Sequence, residues 1–561
     1  RYIDHQKVYI IDVIPTGKLQ PTFTGQVFVL DSLFALLSVD LKPNKSILFP
    51  PPIQALDLSY KQQFRNFGKS FWLPVDFRVN GDIKIGFTGL QFPNIHYKRV
   101  TGLSKYEINI SLPDSLYENE NFLMLDSLAI KQDTIFVKAK PPIPLSHNEE
   151  NAYDTMDSSA TLEKAFRPSG FLARFIKIRT TTEDSETSSD LTRLFSHLSP
   201  QLWFNRVDAW HVGFKYENNL SDKLAIQFNT SYKTGLSRWA YGSSIEYQFK
   251  KNRAAWMKLN FQIGTESRYH SPTYSITIAS LAPLFGQDDY FDYYWKKSIN
   301  INFGYSVQKI NSVFKIDLNS EMHTALSKQS DFNLVWSDYE QRLNPEIEEG
   351  NLRSILFSAA YGENYIPFGV IGQNRLALEI EYSSPDILSS NFTFTRYLIS
   401  LDIRINTFLK RRLLPAAFDI HFSAGTSRGE LPPQRMMHID GTILGFSPFS
   451  VLRSLPRRPY EGEHFLAVFW EHNFRTIPFE LLGLDYLARK GIGIILHGAC
   501  GRTWIDQART TAFAFSLNSA NRLHSEIGIS INGLFGLLRM DFTQRLDRNI
   551  FHIGFGLNRF F

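Results

Sequence analysis

A single cysteine, Cys500, among 561 residues excludes a disulfide framework and any cysteine-based zinc cluster. Charge of one sign is also scarce. Sixty Lys and Arg against 55 Asp and Glu leave +5, and no basic run is dense enough for a nucleic-acid footprint, so no nucleic-acid partner is expected. No uninterrupted apolar run reaches the ~18 residues of a membrane helix, and the mean hydropathy of −0.20 excludes a helical membrane protein. No fixed-period repeat of the solenoid kind is present. No signal-peptide pattern precedes the fold, and the chain opens on Arg1, so a processed or truncated form is expected.

What is abundant is aromatic: 47 Phe, 24 Tyr and 9 Trp. Many aromatics with a polar average suit a transmembrane β-barrel, whose strands face lipid on one side and water on the other.

Texture divides the chain into three. Residues 1–140 are strand-like and punctuated by proline, which suggests a β-rich domain. Strands are expected at Val8–Ile14, Phe23–Leu30, Leu33–Leu41, Tyr60–Phe67, Ser70–Val79, Ile83–Phe87 and Tyr106–Ile110, with Pro50–Pro52 breaking the run. Residues 141–200 form a polar linker leading into a first strand near 170–179. Residues 201–561 are a train of alternating segments.

The alternation is explicit at 299–308. Ile299, Ile301, Phe303, Tyr305 and Val307 share one face, with Asn300, Asn302, Gly304, Ser306 and Gln308 on the other. At 397–406, Tyr397, Ile399, Leu401, Ile403 and Ile405 oppose Ser400, Asp402, Arg404 and Asn406. Such segments often run well past the ~5–6 residues of an average soluble strand and match the ~9–11 that cross hydrocarbon at a tilt. Sixteen are expected, near 170–179, 207–217, 223–234, 238–249, 254–268, 293–308, 312–326, 352–363, 374–383, 392–406, 411–425, 463–476, 490–503, 522–532, 535–546 and 549–561. Sixteen is even, as single-chain bacterial barrels require. The fold expected is therefore all-β: a sixteen-stranded antiparallel transmembrane barrel behind an N-terminal periplasmic β-rich domain.

The chain's end carries the most specific pattern. Phe551, Ile553, Phe555, Leu557 and Phe561 share a face, and this resembles the C-terminal signal of bacterial outer-membrane barrels. Arg559 falls on the same register, where a long cation would snorkel to the membrane edge. The stretches GLLRMDFTQRL (536–546) and FHIGFGLNRFF (551–561) resemble the last two strands of the BamA-like superfamily of sixteen-stranded assembly and translocation barrels. A second resemblance spans most of the chain. YIIDVIP (9–15), FTGQVFV (23–29), FWLP (71–74), PPIPLSHNEENAYDTMDS (141–158), FNRVDAWHVG (204–213) and EHNF (471–474) look like a Bacteroidota family of unknown function, usually preceded by a carboxypeptidase-regulatory-like domain.

The superfamily resemblance implies a long loop before the twelfth strand, folded into the barrel, with a tip arginine on acidic wall residues. The matching connection here is 426–462. Arg453 is the first candidate tip and Arg428 the second, with Glu471 as the wall carboxylate and Glu526 and Asp541 as alternatives. The inward positions Lys315, Asp317, Glu321, Asp402, Arg404, Glu526, Arg539, Asp541 and Arg545 carry both signs. Mixed signs suit a filled lumen rather than a selective pore.

Catalytic signals are weak. Gly425–Gly429 matches a nucleophile elbow, but Pro432 and Pro433 follow where a helix should open. Asp288, Asp289 and Asp292 read as a solvated acidic loop, and no histidine pair has metal spacing. No enzymatic activity, metal or cofactor is expected. The function expected is envelope biogenesis, by insertion or translocation of protein or lipid. The alternative is an accessory barrel subunit of a larger complex. Expected partners are outer-membrane lipid and, through residues 1–140, other envelope proteins.

Overall fold

The computed structural model describes residues 2–111 apart from 4–5, 17–18, 45–52, 69–70, 88 and 104–105; then 147, 151, 166–170 and 173; then 197–559 apart from 250–253, 270, 336–337, 363–370, 507–508, 510–516 and 521. The chain divides into two compact units, Arg1–Thr180 with Arg411–Leu414, and Thr181–Lys410 with Pro415–Phe561.

The first unit is an antiparallel meander. Its strands are β1 (Tyr2–Ile3), β2 (Gln6–Val13), β3 (Phe23–Leu30), β4 (Leu36–Pro43), β5 (Ile53–Asn66), β6 (Trp72–Phe87), β7 (Leu90–Gln91) and β8 (Ile95–Gly102). They pair in sequence order through β7, and β8 also pairs β6. Val8 and Leu30 face each other across β2 and β3 and are nearly fully buried. Two expectations need correction. The strands expected at Ser70–Val79 and Ile83–Phe87 are one long β6 from Trp72 to Phe87, because Asn80 and Gly81 pair straight through with β5 and β8; Ser70 lies outside the described residues. Among its described residues, Tyr106–Ile110 forms no strand, and β8 pairs β6 instead. Pro50–Pro52 lie outside the described residues.

The second unit is one antiparallel sheet of sixteen strands. They are β9 (Leu198–Asn205), β10 (Ala209–Ser221), β11 (Leu224–Lys233), β12 (Arg238–Gln248), β13 (Ala255–Ser267), β14 (Tyr293–Val307), β15 (Ser312–Ala325), β16 (Gly350–Gly362), β17 (Arg375–Ser383), β18 (Phe394–Asn406), β19 (Ala417–Gly429), β22 (His464–Arg475), β23 (Gly493–Trp504), β24 (His524–Leu534), β25 (Leu538–Arg545) and β26 (Ile550–Leu557). A small hairpin, β20 (Met437–Ile439) and β21 (Tyr460–Gly462), lies in the connection between β19 and β22. No described helix is long and apolar enough to cross a membrane.

Fifteen strands lie where the alternation places them. The first is Leu198–Asn205, which straddles the end of the expected linker at 200, and the stretch 171–179 lies largely outside the described residues. Alternation sets the two faces. On one, Phe228, Ile299, Phe303, Ile316, Ile527 and Ile553 are each at least two-fifths exposed. On the other, Ser298, Glu321, Asp402, Asp419, Glu471 and Asp541 are buried.

The sheet curls toward that polar face. Arg559 follows β26 and Asp419 lies on β19, five strands away, yet their side chains are hydrogen-bonded. Flat strands ~4.8 Å apart would separate them by ~24 Å, beyond the reach of an arginine. The apolar core lies inside the curl. Leu431, Met436, Met437, Ile439, Leu452 and Leu455 of the β19–β22 connection pack on Leu352, Phe394, Phe465, Phe469 and Ala499 of the wall.

Candidate functional site

The connection 430–463 is a structured insert inside the sheet. Leu431, Ser447, Val451 and Leu452 are at most 1% exposed. It docks partly because Gly425 leaves a notch on the inner face of β19: a Cβ there would lie 2.3 Å from the Met437 sulfur. The same glycine opens the Gly-x-Ser-x-Gly match. Ser427 of that match donates to the Glu463 carbonyl at 3.2 Å from within β19, with no strand-to-helix elbow.

Three groups of ion pairs hold the insert. The first is centred on Glu471 of β22. Arg453 Nη2 donates to Glu471 Oε1, and Arg453 Nε lies 3.5 Å from Asp541. Arg539 Nη1 donates to the same Glu471 oxygen at 2.9 Å, and Arg559 Nε lies 3.1 Å from the other. Arg539 Nη2 also donates to the Ser447 carbonyl at 2.6 Å, and the Ser447 hydroxyl donates to Asp541 at 2.6 Å. Glu526 acts differently: its carboxylate accepts the backbone N–H of Arg453 at 2.7 Å and of Ser454 at 2.9 Å.

Every charged member of this group is at most 5% exposed. A buried charge that lost its partner would be strongly destabilising. Here each cation has a carboxylate in reach, and the carboxylates are shared among cations.

The second group was not anticipated. Arg435 Nη2 donates to Glu321 of β15 at 2.7 Å, and its Nε donates to Glu381 of β17 at 3.2 Å. Arg396 lies 3.0 Å from the second oxygen of Glu381. Arg435 thus fixes the start of the insert as Arg453 fixes its middle. Nothing in Pro432-Pro433-Gln434-Arg435 signals this, because its partners come from strands more than fifty residues away.

The third group sits in the long connections. Arg206 Nη2 donates to Asp292 at 2.6 Å, and the Arg206 backbone N–H donates to Asp289 at 3.0 Å. Arg342 also donates to Asp292, and Arg268 to Glu461 of the insert. The solvated acidic loop expected at Asp288, Asp289 and Asp292 is therefore corrected. Asp289 and Asp292 are fully buried, because guanidinium groups replace the water they would lose. Burial pushes the Asp292 carboxyl up, but the surrounding Arg342 and Arg206 outweigh it and hold it below the usual range. For Asp289 burial prevails and the carboxyl is pushed up.

Two further positions differ from the sequence reading. Arg428 is exposed at the end of β19, paired in register with Thr395, and takes no part in the inner network; the strand runs to Gly429, past the expected boundary at 425. Arg559 does not snorkel. It is 2% exposed, bonded to Asp419, near Glu471 and 4.5 Å from the Phe449 ring. The strand ends at Leu557, so register counted beyond it has no meaning. Phe551, Ile553 and Phe555 are exposed and Leu557 is half-buried; Phe561 lies outside the described residues.

Glu463, His464 and Asp506 bring one ligand atom each within 4.8 Å of one another. Arg509 Nε lies 2.7 Å from the Glu463 carboxylate, so a cation would compete with an existing guanidinium. Ser454, His524 and Glu526 also meet, with Ser454 Oγ 2.9 Å from His524 Nε2. Glu526 lies on that same nitrogen while Nδ1 faces the Tyr460 hydroxyl, which is not the order of a catalytic relay.

Residues 2–99 match the profile of a family of unknown function, DUF5686. No curated protein matches the chain. Among solved structures it is similar to BamA from Haemophilus ducreyi lacking POTRA domains 1–3, at 11% identity and a TM-score of 0.39. That match covers 64% of this chain and 69% of the other. It is also similar to CdiB from Acinetobacter baumannii, at 11% identity and a TM-score of 0.33. It covers 64% of this chain, which spans 58% of the CdiB chain.

Proposed function

We propose that the second unit is a closed outer-membrane β-barrel, plugged by its own insert, that serves envelope biogenesis by moving or inserting protein or lipid. Closure is supported by the insert itself. Ile443 and Val451 pack in one cluster with Val207, just past β9, while Phe446 bridges Phe555 of β26. One short segment thus reaches both ends of the strand order. The membrane is supported by the outer face, whose large exposed apolar side chains recur on strand after strand. A contiguous apolar surface of that extent needs lipid or a partner to cover it.

The observation that carries the reading is the charged lock between insert and wall. A passive pore has no use for a buried Arg453–Glu471–Arg539 network across its lumen, whereas a barrel that opens in a controlled way does. Residues 198 and 559 lie at the same end of an even-stranded sheet, and the longest connections, 268–292, 326–349 and 430–463, lie at the other; in this reading the first end faces the periplasm and the second the outside. Depleting the protein and taking a census of outer-membrane proteins and lipids tests the role: general loss of one class supports it, and an unchanged census counts against it.

A second reading is an accessory subunit gripped through residues 1–140. Exposed Tyr9, Ile10, Ile11, Leu33 and Phe34 on the first unit favour it. Purification with a fixed partner and an unchanged census would select it.

A further inference from the structure

We propose that the connection between β22 and β23, residues 476–492, is an interfacial anchor seated in the phospholipid headgroup layer at the short-connection end; this rests on the membrane reading of the sheet. Two residues suffice to close an antiparallel hairpin, and 222–223 do so at the same end between β10 and β11. The β22–β23 connection is far longer and folds into two single-turn helices, Ile477–Leu481 and Asp485–Arg489.

Its side chains are sorted. Ile477 and Ala488 are buried at 8% and 4%, while Leu481, Leu482, Leu484 and Tyr486 are 68%, 73%, 45% and 66% exposed. Glu480 is tied back to the Thr476 hydroxyl at 2.6 Å. Four large side chains held out on and between two short helices are what an interfacial segment presents, its apolar face ~5–10 Å into the headgroup boundary.

The surroundings say what covers them. The connection leaves β22 after Arg475, one residue past Phe474 of the apolar outer face. There the Phe474 ring lies tilted 4.1 Å from that of His472 and stacks 6.1 Å from that of Phe408, with Trp470 further along the same face. Aromatic residues gather where strands leave the hydrocarbon. The exposed leucines therefore continue an apolar belt rather than form an isolated patch. Lys490 lies 5.8 Å from the Tyr486 ring, and Arg489 beside it is exposed, so cations stand where lipid phosphates would lie. Tyr486, apolar in body and polar at its tip, suits that boundary.

The test uses the full chain with Cys500→Ala and one new cysteine at a time: Leu482→Cys, Ile299→Cys on the outer face of β14, and Asp222→Cys in the tight hairpin. Each is labelled with an environment-sensitive fluorophore and reconstituted in phosphatidylethanolamine–phosphatidylglycerol bilayers, with and without bromine on the acyl chains. A heat-modifiable gel band confirms folding. The expected result is blue-shifted, bromine-quenched emission at 482 and 299 and neither at 222. An unquenched, water-like label at 482 with a quenched label at 299 overturns the anchor alone. A blue-shifted but unquenched label at 482 also overturns it, since protein would then be the cover. An unquenched label at 299 overturns the membrane reading and the anchor with it.

Discussion

Glu526 holds Arg453 by its backbone, not its side chain: the carboxylate takes the N–H of Arg453 at 2.7 Å and of Ser454 at 2.9 Å, while the Arg453 guanidinium points to Glu471. Two separate carboxylates therefore fasten the same turn of the insert. Losing one leaves the other, and the cost of each substitution depends on what remains paired.

Arg453→Ala should accordingly be milder than Glu471→Ala. Without Arg453, Glu471 keeps Arg539 and Arg559. Without Glu471, three buried guanidiniums are left to Asp541 and Asp419. Glu471→Ala should cost about 3–5 kcal/mol, the scale for breaking a buried pair. Urea unfolding in lipid vesicles, with both variants side by side, checks the order; equal losses would contradict it.

Arg435→Ala should free the start of the insert while leaving the Arg453 turn in place. Glu321 and Glu381 then lose a shared cation. Limited proteolysis should show new cleavage between 430 and 440 in the variant, with 447–455 still protected. Cleavage of both regions together would show that the insert is released as one piece.

The long connections should tolerate mild acid. The Asp292 carboxyl is held below its ordinary value by Arg342 and Arg206 against burial. A depressed folded pKa gives stability that is present above the unfolded value, about 3.9, and lost as pH falls toward the folded one. Asp289, pushed up by burial, has the opposite sign and gives back a little stability as pH first falls. Hydrogen-exchange protection across 268–292, taken relative to the intrinsic exchange rate at each pH, should not fall between pH 7 and about 4 and should drop only below that. Opening near pH 6 would contradict this assignment.

Polarity on the two faces should separate sharply. Ile299→Arg on the outer face of β14 should cost about 2–4 kcal/mol if it lies near the bilayer midplane. Lys315→Gln on the inner face of β15 should stay within about 0.5 kcal/mol. Comparable costs would mean that the outer face does not meet lipid.

Much of the sheet was legible because period-two alternation is strict wherever one face is apolar. Tyr397–Ile405 of β18 is an instance. The first strand was not, because Leu198–Asn205 carries Pro200, which breaks the pattern. Proline is tolerated there since β9 ends the strand order and has a hydrogen-bonded neighbour on one side among the described residues. At the candidate site, Arg453 and Glu471 were named from a resemblance to a loop geometry, and the structure places them in contact. Arg435, Arg206 and the burial of Asp292 were invisible, since a charge in a polar connection reads as solvated until its partners are known. Arg559 misled because alternation was extended two residues past the end of β26.

If an insert held by ion pairs closes a membrane-spanning barrel, removing it should open a pore. Planar-bilayer conductance distinguishes the two states, comparing the intact chain with one in which 434–459 is replaced by a short glycine–serine link. The intact protein should pass little or no current, and the shortened one should give large, stable steps. Large steps from the intact protein, or no steps from either, would contradict closure by the insert.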